Sequence, residues 1–168
     1  MTTAVSLVLL GALSRLLPHP PNFVPLGALA LYSGARLPAG WDLAIPLLSL
    51  AFSDLFLDFG SGRGILTPLR VAVYGTFLLI VLGGRLLRGK ATPGRLAAFS
   101  VSSSVLFFLV TNLAVFLRGV LYPVTPAGLL LCFAAALPFF WNTLAADLLG
   151  TGSLFGLDAL SRKRRGAV

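Results

Sequence analysis

Two aspartates four residues apart, Asp54 and Asp58 in "SDLFLD", stand on one face of an otherwise apolar helix. An ionised carboxylate in hydrocarbon is costly, so such residues turn toward a bundle interior or a watery cavity and find a partner. Arg15 and Arg70, at the ends of neighbouring apolar stretches, are the cations in reach. One reading makes Arg15, Arg70 and Asp58 a structural ion-pair set around Asp54 that pins helices together. The other makes Asp54, with Asn112 and an arginine, part of a polar cup that orients a small polar solute. The two are compatible, because an ion pair in a pocket wall also shapes the pocket.

The remaining candidates gather at the same end of the chain's apolar stretches. His19 and Asn22 lie in "PHPPN", Thr111 and Asn112 late in a long apolar run, and Arg118 just after it. His19 is the only histidine, and Cys132, the only cysteine, is remote in sequence. A single histidine with no second His, Cys or Glu beside it is a poor metal site, so no metal and no cofactor are expected. At the rim of a cup, His19 can hydrogen-bond a solute or titrate. Asn112 shares a helix face with Ser104 and Phe108, which also suits an interhelical hydrogen bond. Asn142 and Asp147 are expected in the opposite half, with Asp147 capping a helix or pairing near Arg36.

The elements that must position these residues follow from composition. Of 168 residues, 57% are hydrophobic and only 11% charged, and the mean hydropathy is +0.95. A soluble domain carries roughly a quarter charged residues. This chain is therefore expected to be an all-α, polytopic membrane protein in the lipid bilayer, a six-transmembrane-helix bundle. One domain covers residues 1–160, and a basic cytoplasmic tail follows over 161–168. The apolar runs place helices at 3–17, 23–37, 41–59, 66–87, 96–117 and 126–149. Pro18, Pro20 and Pro21 stop the first and make "PHPPN" a stiff corner, and Pro138 is expected to kink the sixth. The first stretch lacks a basic leader and is read as a retained helix.

Orientation follows from the basic residues. With the N-terminus in the cytoplasm, Arg36, Arg85, Arg88, Lys90, Arg95, Arg162, Lys163, Arg164 and Arg165 fall inside. Arg15, Arg63, Arg70 and Arg118 fall outside. Nine against four predicts both ends inside a cytoplasmic (inner) membrane. The excess of basic over acidic residues is explained that way, and no RNA- or DNA-binding pattern accompanies it, so nucleic acid is not an expected partner.

"RLLPHPPNFVPLGALALYSGA", "PLLSLAFSDLFLDF", "VLFFLVTNLAVFL" and "YPVTPAGLLLCFAAALPFFWNTLAADL" together resemble a family of small bacterial membrane proteins of undefined function, described at most as transport proteins. The resemblance runs from about Arg15 to Phe155. Its marks are PHPPNF, Ser53–Asp54, Thr111–Asn112 and Pro138-Phe139-Phe140-x-Asn142. In size and architecture that family is similar to the S components of energy-coupling-factor vitamin transporters, six-helix subunits with both ends inside. The likeness implies a solute-binding subunit with an outer-face site at His19, Asn22, Asp54, Thr111, Asn112 and Arg118. It also implies a membrane scaffold subunit docked on the small-residue face of the first or second helix, and cytoplasmic ATPases, since the chain carries no P-loop. No vitamin-specific motif matches.

Two other classes compete. A membrane-embedded, lipid-modifying enzyme would join His19 to Asp54 or Asp58 for acid–base work, but no Ser–His pairing or metal-spaced cluster accompanies them. A structural or assembly subunit would simply pair Asp54 and Asn112 internally.

Overall fold

The computed structural model describes residues 2–58 and 67–165. Arg63 of the expected outer loop lies outside the described residues. Six helices make up the described regular structure: α1 (Thr2–Leu16), α2 (Leu26–Arg36), α3 (Trp41–Asp58), α4 (Pro68–Arg85), α5 (Pro93–Leu117) and α6 (Pro126–Arg165). Prolines mark most of the boundaries. α1 ends just before Pro18, and α2 ends where Leu37 turns extended (φ −95°, ψ 152°) ahead of Pro38. α4 and α5 each begin with a proline behind a threonine cap. Thr67 accepts from the Arg70 N–H at 3.2 Å and Thr92 from the Arg95 N–H at 3.4 Å.

α2 is the centre of the molecule. It has 11 residues, nine of them buried, and it packs against all five other helices. Its small residues make this possible. At the crossing with α4, a side chain at Gly34 would strike the Val81 carbonyl, and one at Gly84 would strike the Leu31 carbonyl. The small-residue face of α2 is therefore consumed inside the chain. It is not the free docking surface that the transporter likeness suggested, because α4 and α6 already cover it.

α1 and α3 run side by side in the same direction, joined by Ser49 Oγ to the Val8 carbonyl at 3.2 Å and by Arg15 to Asp54. α5 and α6 run antiparallel, joined by Ser104 to Asp147 and Thr151 to Ser100. Leu29, Leu31, Ile45, Leu50, Phe77 and Val81 form the core between them.

Two expectations need correction. Three of the six helices, α4, α5 and α6, are long and apolar enough to cross a membrane. α1 has only 15 residues and α2 only 11, while α3 carries Asp42, Asp54 and Asp58. Second, α6 does not stop near Leu149 but continues as one 40-residue helix through Pro138 to Arg165. Gly150 packs on Pro25 and Ala28, Phe155 stacks edge-on to Tyr32 at 5.3 Å, and Arg36 Nε lies 2.8 Å from Asp158. These contacts with α2 hold the extra turns. At 1.5 Å per residue α6 is about 60 Å long, about twice the thickness of a bilayer's hydrocarbon.

Candidate functional site

The ionic residues form two layers. At one end, the last turns of α1 and α3 meet the first turn of α4. Asp54 accepts from Arg15 at 2.6 Å, from Arg70 Nε at 3.1 Å and from the Tyr74 hydroxyl at 3.0 Å. Arg70 also pairs with Asp58. Arg15 donates in addition to Ser53 Oγ at 2.5 Å. Asp54 is 12% exposed, so its charge is matched where water is scarce. At the opposite end, Asp42 is fully buried and held by Arg85 at 2.7 Å and Arg88 at 3.0 Å. Asp158 is held there by Arg36 and Arg162.

Asp147 belongs to neither layer. It sits midway along α6, 2% exposed, against the first turn of α2. Pro25 precedes α2 and offers no side-chain cap. Asp147 Oδ1 supplies it from another helix, accepting the Ala28 N–H at 3.1 Å, while Oδ2 accepts the Ser104 hydroxyl at 2.8 Å. Asp147 does cap a helix, but it does not pair near Arg36, whose carboxylate is Asp158. Asn142 is likewise not in the opposite half. It donates to the Pro21 carbonyl at 2.9 Å, beside the proline corner.

That corner does not lie level with the start of α6, although Pro18, Pro20, Pro21 and Asn22 are exposed. Thr143, about 25 Å along α6 from Pro126, donates to the Asn22 carbonyl at 3.4 Å. The corner therefore docks partway down α6 and borders a crevice. Asn22 turns the chain there in the left-handed region (φ 62°), which asparagine tolerates better than most residues.

Three adjoining cavities lie here, the first two lined by Asn22 of the corner, and Val73 of α4 lines all of them. The innermost, about 160 Å³, reaches Asp147 and Thr143. The second, about 230 Å³, lies between α4, α5 and α6 and is walled by Phe107, Phe108, Phe139 and Phe140. The third, about 490 Å³, opens at the Arg15–Asp54–Arg70–Asp58 layer and is also lined by Arg118.

The sequence-derived site residues separate across this arrangement. Asn22, Thr111 and Asn112 line the second cavity, and Asp54 and Arg118 line the third. His19 lines none of them; its Nδ1 lies 2.8 Å from the neighbouring Pro20 carbonyl. Asn112 donates within its own helix, to the Phe108 carbonyl at 2.7 Å, and its backbone carbonyl receives the Cys132 thiol at 3.5 Å. The interhelical bond expected of its side chain is thus replaced by one through its backbone. Val73 and Thr143 went unnoticed in the sequence, since a valine in an apolar helix and a threonine beside Asn142 carry no distinguishing signal.

A family model covering residues 1–168 matches this chain. The chain belongs to DUF6580, a family of unknown function. No curated protein and no solved structure matches it.

Proposed function

We propose that this DUF6580 member is a multi-pass protein of the cytoplasmic membrane and the solute-binding subunit of a transport system. In this reading it takes a small water-soluble metabolite from the outer face into the crevice above the proline corner. The observation that carries the reading is the set of adjoining cavities. Asn22 lines two of them, and together they bring polar groups from α3, α4 and α5 to adjoining openings. A pocket with apolar walls and a few placed polar groups is the usual form of a small-molecule site. The basic ends of α4 and α6 and the start of α5 face the cytoplasm, as the count of arginines and lysines favours. A membrane scaffold subunit and cytoplasmic ATPases supply the energy in this scheme.

A titration of the purified chain with a metabolite library, followed by thermal shift and calorimetry, tests the reading. A ligand whose binding is lost in Asp54→Ala and weakened in Asn112→Ala supports it. Asn112→Ala removes no ion pair, so it separates loss of binding from loss of folding. Absence of any ligand for well-folded protein overturns it. Orientation is checked separately with Arg118→Cys and Arg164→Cys in intact cells, where an impermeant maleimide should label only the first.

One observation favours a second reading, a structural or assembly subunit. Both carboxylates at the crevice mouth are already engaged by Arg15 and Arg70. The enzyme reading draws no comparable support, because the hydrogen bond of His19 goes to Pro20 rather than to a carboxylate.

A further inference from the structure

The chemistry of the crevice narrows what it would hold, given that it holds a solute at all. The second cavity is walled by four phenylalanines from two helices, and the rings of Phe108 and Phe140 lie 5.1 Å apart. Such walls favour an apolar, planar group that can stack or meet ring edges. The polar groups there are few. Asn112 spends one amide hydrogen on the Phe108 carbonyl, leaving its other amide hydrogen and its oxygen for a ligand.

The third cavity shares Leu69 and Val73 with the second, so one molecule can occupy both. Its lining carries three guanidiniums, from Arg15, Arg70 and Arg118, against the two carboxylates of Asp54 and Asp58. Arg15 and Arg70 already satisfy both carboxylates. Arg118 pairs with no carboxylate among the described residues. The mouth therefore holds one positive charge in excess, on a residue whose planar fork suits a carboxylate or phosphate. A cationic solute would find both acids already taken.

We propose that the solute carries a planar ring and one anionic group, the ring held among Phe107, Phe108, Phe139 and Phe140 and the anion by Arg118. This rests on the solute-binding reading above.

The test titrates the full chain in nanodiscs with benzoate, nicotinate and indole-3-acetate, set against succinate, benzylamine and glucose within a panel balanced among the same four classes. Saturable binding of an aromatic anion is expected. Arg118→Gln should weaken it about tenfold or more with an unchanged melting temperature, because Arg118 is exposed, and Arg118→Lys should retain part of the affinity. Phe139→Ala should weaken it while sparing the salt dependence that Arg118 confers. Tighter binding of an aliphatic anion, an amine or a sugar leaves the solute-binding reading standing and overturns the ring-and-anion assignment. An aromatic anion indifferent to Arg118→Gln overturns it too. Silence across the whole panel overturns both.

Discussion

Asp147 on α6 closes the N-terminus of α2 by accepting the Ala28 N–H, across 119 residues of chain, at 3.1 Å. A helix whose own cap position is a proline thereby acquires its acceptor from the last helix of the bundle. The same carboxylate takes the Ser104 hydroxyl, so α2, α5 and α6 are joined at one buried group.

Replacing Asp147 by alanine leaves the buried Ala28 N–H without its acceptor and the Ser104 hydroxyl with only the Ser100 carbonyl, 3.2 Å away. The expected loss is about 1–3 kcal/mol, read as the shift in unfolding midpoint in a mild detergent. Asp147→Asn keeps an acceptor oxygen and should lose less. An alanine variant as stable as the parent would show that water replaces the carboxylate and that the three-helix junction does not depend on it.

The α2–α4 crossing makes an opposite pair of predictions for glycine. Gly34→Ala and Gly84→Ala each drive a methyl group into a backbone carbonyl, which cannot turn aside as a side chain can. Each should cost about 1–3 kcal/mol. Gly75, on the same helix as Gly84, has nothing within 4 Å of a new Cβ. Gly75→Ala should instead stabilise the chain by up to about 1 kcal/mol through helix propensity. Thermal unfolding of the three variants side by side decides it, and equal behaviour at Gly84 and Gly75 would contradict the close crossing.

Asn22 serves the corner through its backbone and also lines the crevice. Asn22→Ala should cost about 1 kcal/mol for the left-handed conformation, and Asn22→Gly should recover that stability. If the amide also contacts solute, Asn22→Gly folds normally and binds poorly. Recovery of both stability and binding would confine Asn22 to the turn.

The sequence carried the helices well where prolines and apolar runs agree. Pro18, Pro38, Pro68, Pro93 and Pro126 lie within a few residues of observed boundaries, because a missing N–H and a fixed φ act locally. It failed on α6 beyond Leu149. The apolar run ends there, yet what holds the further turns is contact with Pro25, Tyr32 and Arg36, which are distant in the chain. The depth of the proline corner was equally hidden. Nothing local to "PHPPN" states that its carbonyls will meet Asn142 and Thr143. The grouping of Arg15, Asp54, Asp58 and Arg70 could be anticipated from the cost of unpaired charge among apolar residues. Capping by Asp147 was among the expectations, but its partners, the Ala28 N–H and the Ser104 hydroxyl, could not be anticipated, since they are backbone and hydroxyl groups rather than a cation.

The junction at Asp147 also sets an order on biosynthesis. A ribosome delivers α2 early and α6 last, so the leading amides of α2 emerge long before their acceptor exists. Until then the innermost helix has no protein group to complete its first turn, and chains cut short ahead of Asp147 never gain one. The interior helix can thus pack on its earlier-made neighbours, but its leading turn is completed only once the chain has been made through Asp147.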